Sequence, residues 1–487
     1  MGSIVFGKAG NDTITGSEGG DILFGGDGAD IIDGGGSTNG DEIYGGDGGD
    51  ALTGGAAGDE IYGGNHNDTI NGGGGQDDLF GGDGDDTFNV VASDMTSGDS
   101  FTGNTGTDKI LTTEATLDIS SNSIGITSIE ALESTNGSAN TFVVRNDMLT
   151  GSNGSIDTID AGAAGSTLRS SSNALDATGL ALTNITTLET ADTSNPAAFI
   201  VDAALLSPIT TINSGGAGGA ISTGEQNLDL TGITTSNVSS AQSTNAAAAT
   251  ITVDTTNLSS FNAFTSATAG GTLKLADGNT VANLTSVTLN NISNVTGGTG
   301  NDSITIGGSS PITVQGGQGG DSLSLNGTGT QTVVFDSYSS NGKDNVFSFN
   351  AGASGDILDV DGLGLNGAGG SNATTSLEII SSDAAVSAGT NTVVLTYASF
   401  QDFSSSTTFA TQVADFLTAI SGTTFEGSFE ASDQIAFLVN DTSVDSNVSL
   451  WHWADDGDGI MEAADTWTDI ATVDSTTITD LHADNFI

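Results

Sequence analysis

GGDGADIID, residues Gly25 to Asp33, decides the fold: two glycines, a variable residue, a third glycine, a variable residue, an aspartate, then a triplet with an apolar centre. Nine tandem copies of this pattern start at Gly7, Gly16, Gly25, Gly34, Gly45, Gly54, Gly63, Gly72 and Gly81 and run to Asn89. Their sixth positions are Asp12, Asp21, Asp30, Asp41, Asp50, Asp59, Asp68, Asp77 and Asp86. Their eighth are Ile14, Leu23, Ile32, Ile43, Leu52, Ile61, Ile70, Leu79 and Phe88. Glycine reaches positive φ without a Cβ penalty, so the first six positions turn tightly and aim carbonyls at a cation. The aspartate adds a hard carboxylate, and calcium takes roughly six to eight oxygens. The triplet is a minimal strand with its middle side chain pointing inward. One nonapeptide is then half a coil, and copies n and n+2 stack. The pattern predicts an all-β chain, a parallel β-roll or β-solenoid in two ladders, with about seven n/n+2 pairings and roughly as many Ca2+ ions.

A run rich in Gly and Asp is otherwise a flexible linker, but here the apolar eighth position is filled in every copy. The copies carry flaws: Lys8 stands at the second glycine of the first, two extra residues lengthen the fourth, and Ala57 and His66 replace the third glycine of the sixth and seventh. Those turns are expected to bind more weakly, and His66 reads as a tolerated loop residue rather than a ligand. Residues 1–92 hold 18 acidic residues against one Lys. Their turns repel one another without calcium, so metal binding is expected to supply the folding free energy.

The whole chain of 487 residues has 61 acidic and 6 basic residues, a net charge of −55. Such a surface repels nucleic acid and anionic membrane, so neither is expected as a partner. There is no Cys, hence no disulfide framework and no Cys/His zinc site. No stretch is long and apolar enough to span a membrane as a helix, and the N-terminus shows no charged-then-apolar leader. The calcium demand favours the extracellular side.

The composition divides the chain into four segments: the array at 1–92, a Ser/Thr/Ala-rich region at 93–296, a second short array at 297–336, and a β-rich C-terminal region at 337–487. In the second, ATLDISSNSIGITSIEALES (Ala115–Ser134) aligns with NALDATGLALTNITTLETAD (Asn173–Asp192), a repeat of roughly 50–60 residues. Its short β-runs read as a continued solenoid without calcium turns, with a β-sandwich as the alternative. Calcium-type copies return at GGTGNDSIT (Gly297–Thr305) and GGQGGDSLS (Gly316–Ser324), placing Asp302 and Asp321 in adjacent coils and adding about one site. In the last segment FATQVADFLTAI (Phe409–Ile420) has a helical period. DQIAFLVN and VSLWHWAD form a hairpin with Trp451 and Trp453 on one face, read as core. ADDGDGIMEAAD (Ala454–Asp465) has Asp456, Asp458, Gly459 and Asp465 at EF-hand positions but Ala454 first, so an acidic turn is the better reading.

The nonapeptides resemble the RTX (repeats-in-toxin) family over residues 7–89 and 297–324. DNVFSFNAGASGDILDVDGL (Asp344–Leu363) is similar to segments downstream of such arrays in secreted proteins, and the ending DLHADNFI to uncleaved type I secretion signals. The resemblance implies export in one step to the extracellular space or cell surface, unfolded where calcium is low, with folding outside. The family includes proteases, lipases, toxins, adhesins and surface-layer proteins, so the fold leaves function open. With three His, no His-Glu-x-x-His, no Gly-x-Ser-x-Gly and no Cys, no catalytic residue is assigned and the chain reads as not an enzyme. The Leu-Asp-x-Thr-Gly strand (Leu228–Gly232) resembles the solenoids of RTX surface-layer proteins.

Parity adds a surface. The ninth position of the even copies is Phe24, Tyr44, Tyr62 and Phe80, with Phe6 one coil earlier; in the odd copies it is Thr15, Asp33, Thr53, Asn71 and Asn89. One sheet should carry an aromatic stripe stepping about 4.8 Å, either stacked and covered within the molecule or serving as a subunit contact. Only six residues precede the first copy, too few for a cap, and an open coil end is expected to stack on another molecule. The expected role is a secreted, calcium-dependent, self-assembling structural protein, a surface-layer or filament subunit whose partner is itself. The alternative is an adhesin or biofilm-matrix protein binding a glycan or cell surface.

Overall fold

The structure, a computed structural model, describes residues 1–36, 38–91, 95, 98–150, 154–335, 342–350, 355–359, 377–380, 392–395, 413, 417, 434–441, 447–455, 461–463 and 465–473. It divides into two compact units, Met1–Glu225 with Gly232–Ala241, and Gln226–Thr231 with Gln242–Ile487. Both are parallel β-solenoids.

In the first unit, Ile4–Ala9, Ile22–Asp27, Glu42–Asp47, Glu60–Asn65, Asp78–Asp83, Ser100–Thr105 and Gly125–Thr127 form one parallel sheet in chain order. The strands between them, from Thr13–Thr15 through Ile31–Asp33 and Ala51–Gly55 to Ala181–Thr183, form a second. Each nonapeptide is half a coil, as its length requires: Phe6 pairs with Phe24 and Ile14 with Ile32. The step is 18 residues and becomes 20 where the fourth copy carries its extra pair. Between the sheets lie the eighth-position side chains, none more than 6 % exposed. Period-two alternation leaves no choice: the residues before and after each of them must face out. The second glycine of copies three to nine takes positive φ, and at Gly26 (φ +121°) an added Cβ would run into the Lys8 carbonyl oxygen of the preceding coil.

The roll continues past residue 92, since Asp78–Asp83 pairs with Ser100–Thr105, and Phe88 meets Phe101 edge-on at 5.8 Å. The turn chemistry is what changes. The coil step lengthens to 22 and then 26 residues, and a third sheet opens with Thr116–Asp118, Thr141–Val144, Ser166–Ser170, Ile185–Thr190, Thr211–Asn213 and Thr234–Ser236. The repeat of 50–60 residues thus spans about two coils, and the solenoid, not the sandwich, is the architecture. Buried hydroxyls now take the acceptor role that aspartates had: the Asn140 amide donates to Ser166 Oγ at 3.0 Å and the Ala197 amide to Ser214 Oγ at 3.3 Å. Asn184 and Asn237 turn corners at φ +64° and +58°, a region that Asn tolerates better than most residues.

In the second unit, Asn227–Asp229, Thr250–Val253, Gly271–Leu275, Ile292–Thr296, Ile312–Gln315, Gln331–Val334 and Ile357–Asp359 form one parallel sheet. Val281–Asn283, Ser303–Ile306, Ser322–Leu325 and Asp344–Phe347 begin another, which the C-terminal strands extend. Thr466–Val473 adds in parallel, Asn447–Ala454 and Gln434–Asp441 antiparallel, then Thr392–Leu395 and Leu377–Ile380 in parallel. The expected hairpin is therefore present inside a mixed sheet, and Trp451 and Trp453 are buried. Lys343 ties this sheet to the solenoid through Asp469 at 2.6 Å. Of the EF-hand-like stretch, Asp456, Asp458 and Gly459 lie outside the described residues; Asp465 accepts from Trp453 Nε1 at 2.9 Å and from the Glu462 amide at 2.6 Å, closing a turn. The helix expected over Phe409–Ile420 lies outside them too, apart from Val413 and Leu417, both helical. Residues 474–487, with the ending DLHADNFI, are also outside. Among the described residues no helix is long and apolar enough to cross a membrane.

Candidate metal centres

The aspartates of the repeats line up in two columns, one per row of turns. In the first, each peptide N–H donates to the carboxylate one coil on: Asp12 to Asp30, Asp30 to Asp50 and Asp50 to Asp68 at 2.7 Å, then Asp68 to Asp86 and Asp86 to Asp108 at 2.8 Å. The second column runs Asp21 to Asp41 and Asp41 to Asp59 at 2.7 Å, Asp59 to Asp77 at 2.9 Å and Asp77 to Asp99 at 3.2 Å. In every link the acceptor is Oδ1.

The other oxygen is left over. Oδ2 of Asp12, Asp30, Asp50, Asp59, Asp68, Asp86 and Asp108 is buried and has no hydrogen-bond donor. An unsatisfied buried carboxylate oxygen is costly, and its repetition coil after coil requires an explanation. Each of these oxygens in Asp12, Asp30, Asp50, Asp59 and Asp68 points at the Cα of its copy's first glycine. There a Cβ would meet both Oδ2 and the first-glycine carbonyl of copy n+2 within 3.0 Å. Glycine thus keeps open a space where a carboxylate oxygen from one coil and a carbonyl oxygen from the next converge. Hard oxygens, one anionic and the rest carbonyl, are the donor set that Ca2+ prefers. Among the described residues no three His, Cys, Asp or Glu side chains cluster as a metal site, which fits turns whose ligands are mostly backbone. The residues that would hold the ion are the column aspartates and the glycine carbonyls. When bound, the ion would neutralise these buried carboxylates.

That need shows in their acidity. Burial pushes Asp59 and Asp68 up to about 7, against partial relief from the backbone hydrogen bond each accepts and with further repulsion from column neighbours. Asp86 rises to about 6 for the same reasons, and Asp50 and Asp108 rise also. Asp21 goes the other way: burial opposes ionisation, but hydrogen bonds from Ser3 and Ser17 outweigh it and hold the group at about 2.

The second unit repeats the arrangement. Thr280 N donates to Asp302 Oδ1 at 2.6 Å, Asp302 N to Asp321 Oδ1 at 2.7 Å, and Asp321 N to Asp344 Oδ1 at 2.8 Å. Burial raises Asp302 and takes Asp321 to about 6. The two aspartates do sit in adjacent coils, as their spacing requires. Sequence reasoning missed Asp99, Asp108 and Asp344. The signal was there in GNTGTDKIL (Gly103–Leu111), with Asn104 in place of the second glycine, and in Gly342-Lys343-Asp344-Asn345-Val346, where only the last glycine, the aspartate and the apolar residue survive. Column one ends when Asp108 N turns to Glu130 Oε2 at 2.8 Å. His66 takes φ +75° in a turn, the loop role expected of it.

The aromatic stripe is a ladder of stacked rings. Phe6, Phe24, Tyr44, Tyr62 and Phe80 succeed one another at 4.8, 4.8, 4.9 and 4.8 Å with planes within 7°. Phe6 is 60 % exposed and the other four are half-buried. Tyr44 and Tyr62 donate their hydroxyls to Glu42 and Glu60, and these bonds with the carboxylates' charge push both phenols up to about 12.

A family model described as the RTX calcium-binding nonapeptide repeat (4 copies) matches residues 6–39, 44–79 and 53–88. No curated protein and no solved structure matches the chain. The spacing, the paired columns, the unsatisfied oxygens and the matched model agree: residues 6–39 and 44–88 are RTX calcium-binding nonapeptide repeats.

Proposed function

We propose that this chain is a secreted structural protein that folds on calcium and assembles with copies of itself, as a surface-layer or filament subunit, without a catalytic role. RTX repeats are typical of extracellular proteins, where calcium is plentiful enough to load such columns. The observation that carries the reading is the ladder of five stacked rings, one exposed and four half-buried, on one sheet at a regular pitch. A folded chain has little reason to leave a periodic apolar strip exposed unless something covers it. Electron microscopy of the purified protein tests it. Ordered fibres or sheets should form in calcium and dissolve in chelator; dispersed particles under all conditions would refute it.

A second reading, an adhesin, draws on one feature of the first unit. A surface groove of about 490 Å³ is lined by Ser120, Asn122, Arg145, Asn146, Asp147 and Ser171, polar groups of the kind that bind sugars. Glycan or cell binding by calcium-loaded monomers, lost on Arg145→Ala, would favour this reading over the first.

A further inference from the structure

We propose that the aromatic face binds a second copy of the same array, lying parallel to the first, each copy's ring ridge seated in the other's glycine trough. The proposal rests on the self-assembly reading above and names its surface and geometry. Four rows cross this sheet. Ile4, Ile22, Glu42, Glu60 and Asp78 form the first, carboxylate from the third coil on, and the rings the second. The register partners Gly26, Gly46, Gly64 and Gly82 form a stretch without side chains, bounded in the same row by Lys8 and Asn104, and Asp27, Asp47, Asn65 and Asp83 form the far rim.

Three properties select the occupant. The stack covers both faces of every inner ring, so the ladder offers edges rather than the open face on which a sugar or a lone planar group would lie. The ridge and the trough share one repeat, because each coil from Phe24 to Phe80 contributes one ring and one glycine, with Lys8 in the row beside Phe6; only a partner with the same 4.8 Å step stays in register along the ladder. A two-fold axis parallel to the ladder, set between ridge and trough, places each ridge over the other trough, which is the self-complementarity an isologous contact demands.

Charge then sets the conditions. At both edges of such a pair a carboxylate row of one copy faces a carboxylate row of the other, and a chain with 61 acidic and 6 basic residues brings few cations of its own. The contact should therefore need calcium or salt to screen its rims. The ladder spans about 19 Å, so one face covers a few hundred Å² against the roughly 800 Å² per partner of a stable complex. An isolated pair is weak; repetition in an assembly makes the contact count.

The chain has no Cys, so single spin labels can be placed at will. Thr102 continues the ring column beside Phe80, and Thr53 lies on the opposite sheet. In calcium, a label on Thr102→Cys should show a short intermolecular distance and a label on Thr53→Cys none. Tyr44→Ser with Tyr62→Ser should abolish that distance and lower the association constant about tenfold or more, while calcium-induced strand circular dichroism stays. Tyr44→Phe with Tyr62→Phe should restore it. A distance at 53 instead of 102, a distance indifferent to the serine pair, or association that weakens as salt rises would overturn the proposal while leaving self-assembly standing. Monomers in calcium at every concentration would overturn both.

Discussion

His66 and Lys8 hold φ of +75° and +94°, at positions where most copies have glycine. A side chain costs roughly 1–2 kcal/mol in that region. His66→Gly should therefore stabilise the calcium-loaded array by about 1 kcal/mol, measured as a higher urea midpoint at unchanged slope. The column aspartates give a second expectation. Their folded, metal-free acidities are raised, to about 7 for Asp59 and Asp68. The stability they contribute is then complete below the ordinary carboxylate range and lost as pH rises through about 7, because the proton is what makes the buried group tolerable. Calcium takes the proton's place. Binding near pH 6–7 should release protons, and affinity should fall as pH drops from 7 towards 5; titration calorimetry in buffers of different ionisation enthalpy measures both.

Two kinds of turn build one kind of coil. In the array the turn centres on a carboxylate oxygen without a donor; in the Ser/Thr-rich coils it centres on a neutral hydroxyl such as Ser166 or Ser214, already hydrogen-bonded. The second kind needs no ion. In chelator, hydrogen exchange on the full chain should show the amides of 7–108 losing protection while those of 155–223 keep most of theirs; uniform loss would contradict the distinction. This difference also marks the limit of what the residues disclosed in advance. Nine aspartates, nine apolar positions and the ring parity were legible because each recurs at a fixed step. Asp99 and Asp108 were not, since their copies had shed glycines while keeping the aspartate that the column needs. The serine turns were hidden for another reason: a buried Ser166 and an exposed Ser120 are the same letter, and only stacking distinguishes them. The glycine trough beside the rings was in plain view but had been assigned wholly to turn-making.

For the molecule, a solenoid means that each coil answers mainly to its neighbours. Asp68 lies mid-column, bonded to Asp50 on one side and Asp86 on the other. Asp68→Asn should lower the calcium count of the full chain, read by native mass spectrometry, and raise the calcium midpoint of folding for the first unit. The Asp302–Asp321–Asp344 column should fill as before. A loss of all bound calcium would mean that the whole chain, not the column, is the cooperative element.

The ring ladder also has an optical consequence. The chain has 4 Tyr and 3 Trp. Tyr44 and Tyr62 are stacked at 4.9 Å with their hydroxyls on carboxylates, whereas Trp451, Trp453 and Trp467 sit together in the C-terminal sheet. Parallel phenols at that distance couple their transitions, and a carboxylate acceptor quenches phenol emission. Calcium loading of the array should thus be visible as a near-ultraviolet dichroism couplet and dimmed tyrosine fluorescence, on a channel separate from the tryptophan emission of the other unit. The protein carries its own two-colour gauge of where along the chain order has set in.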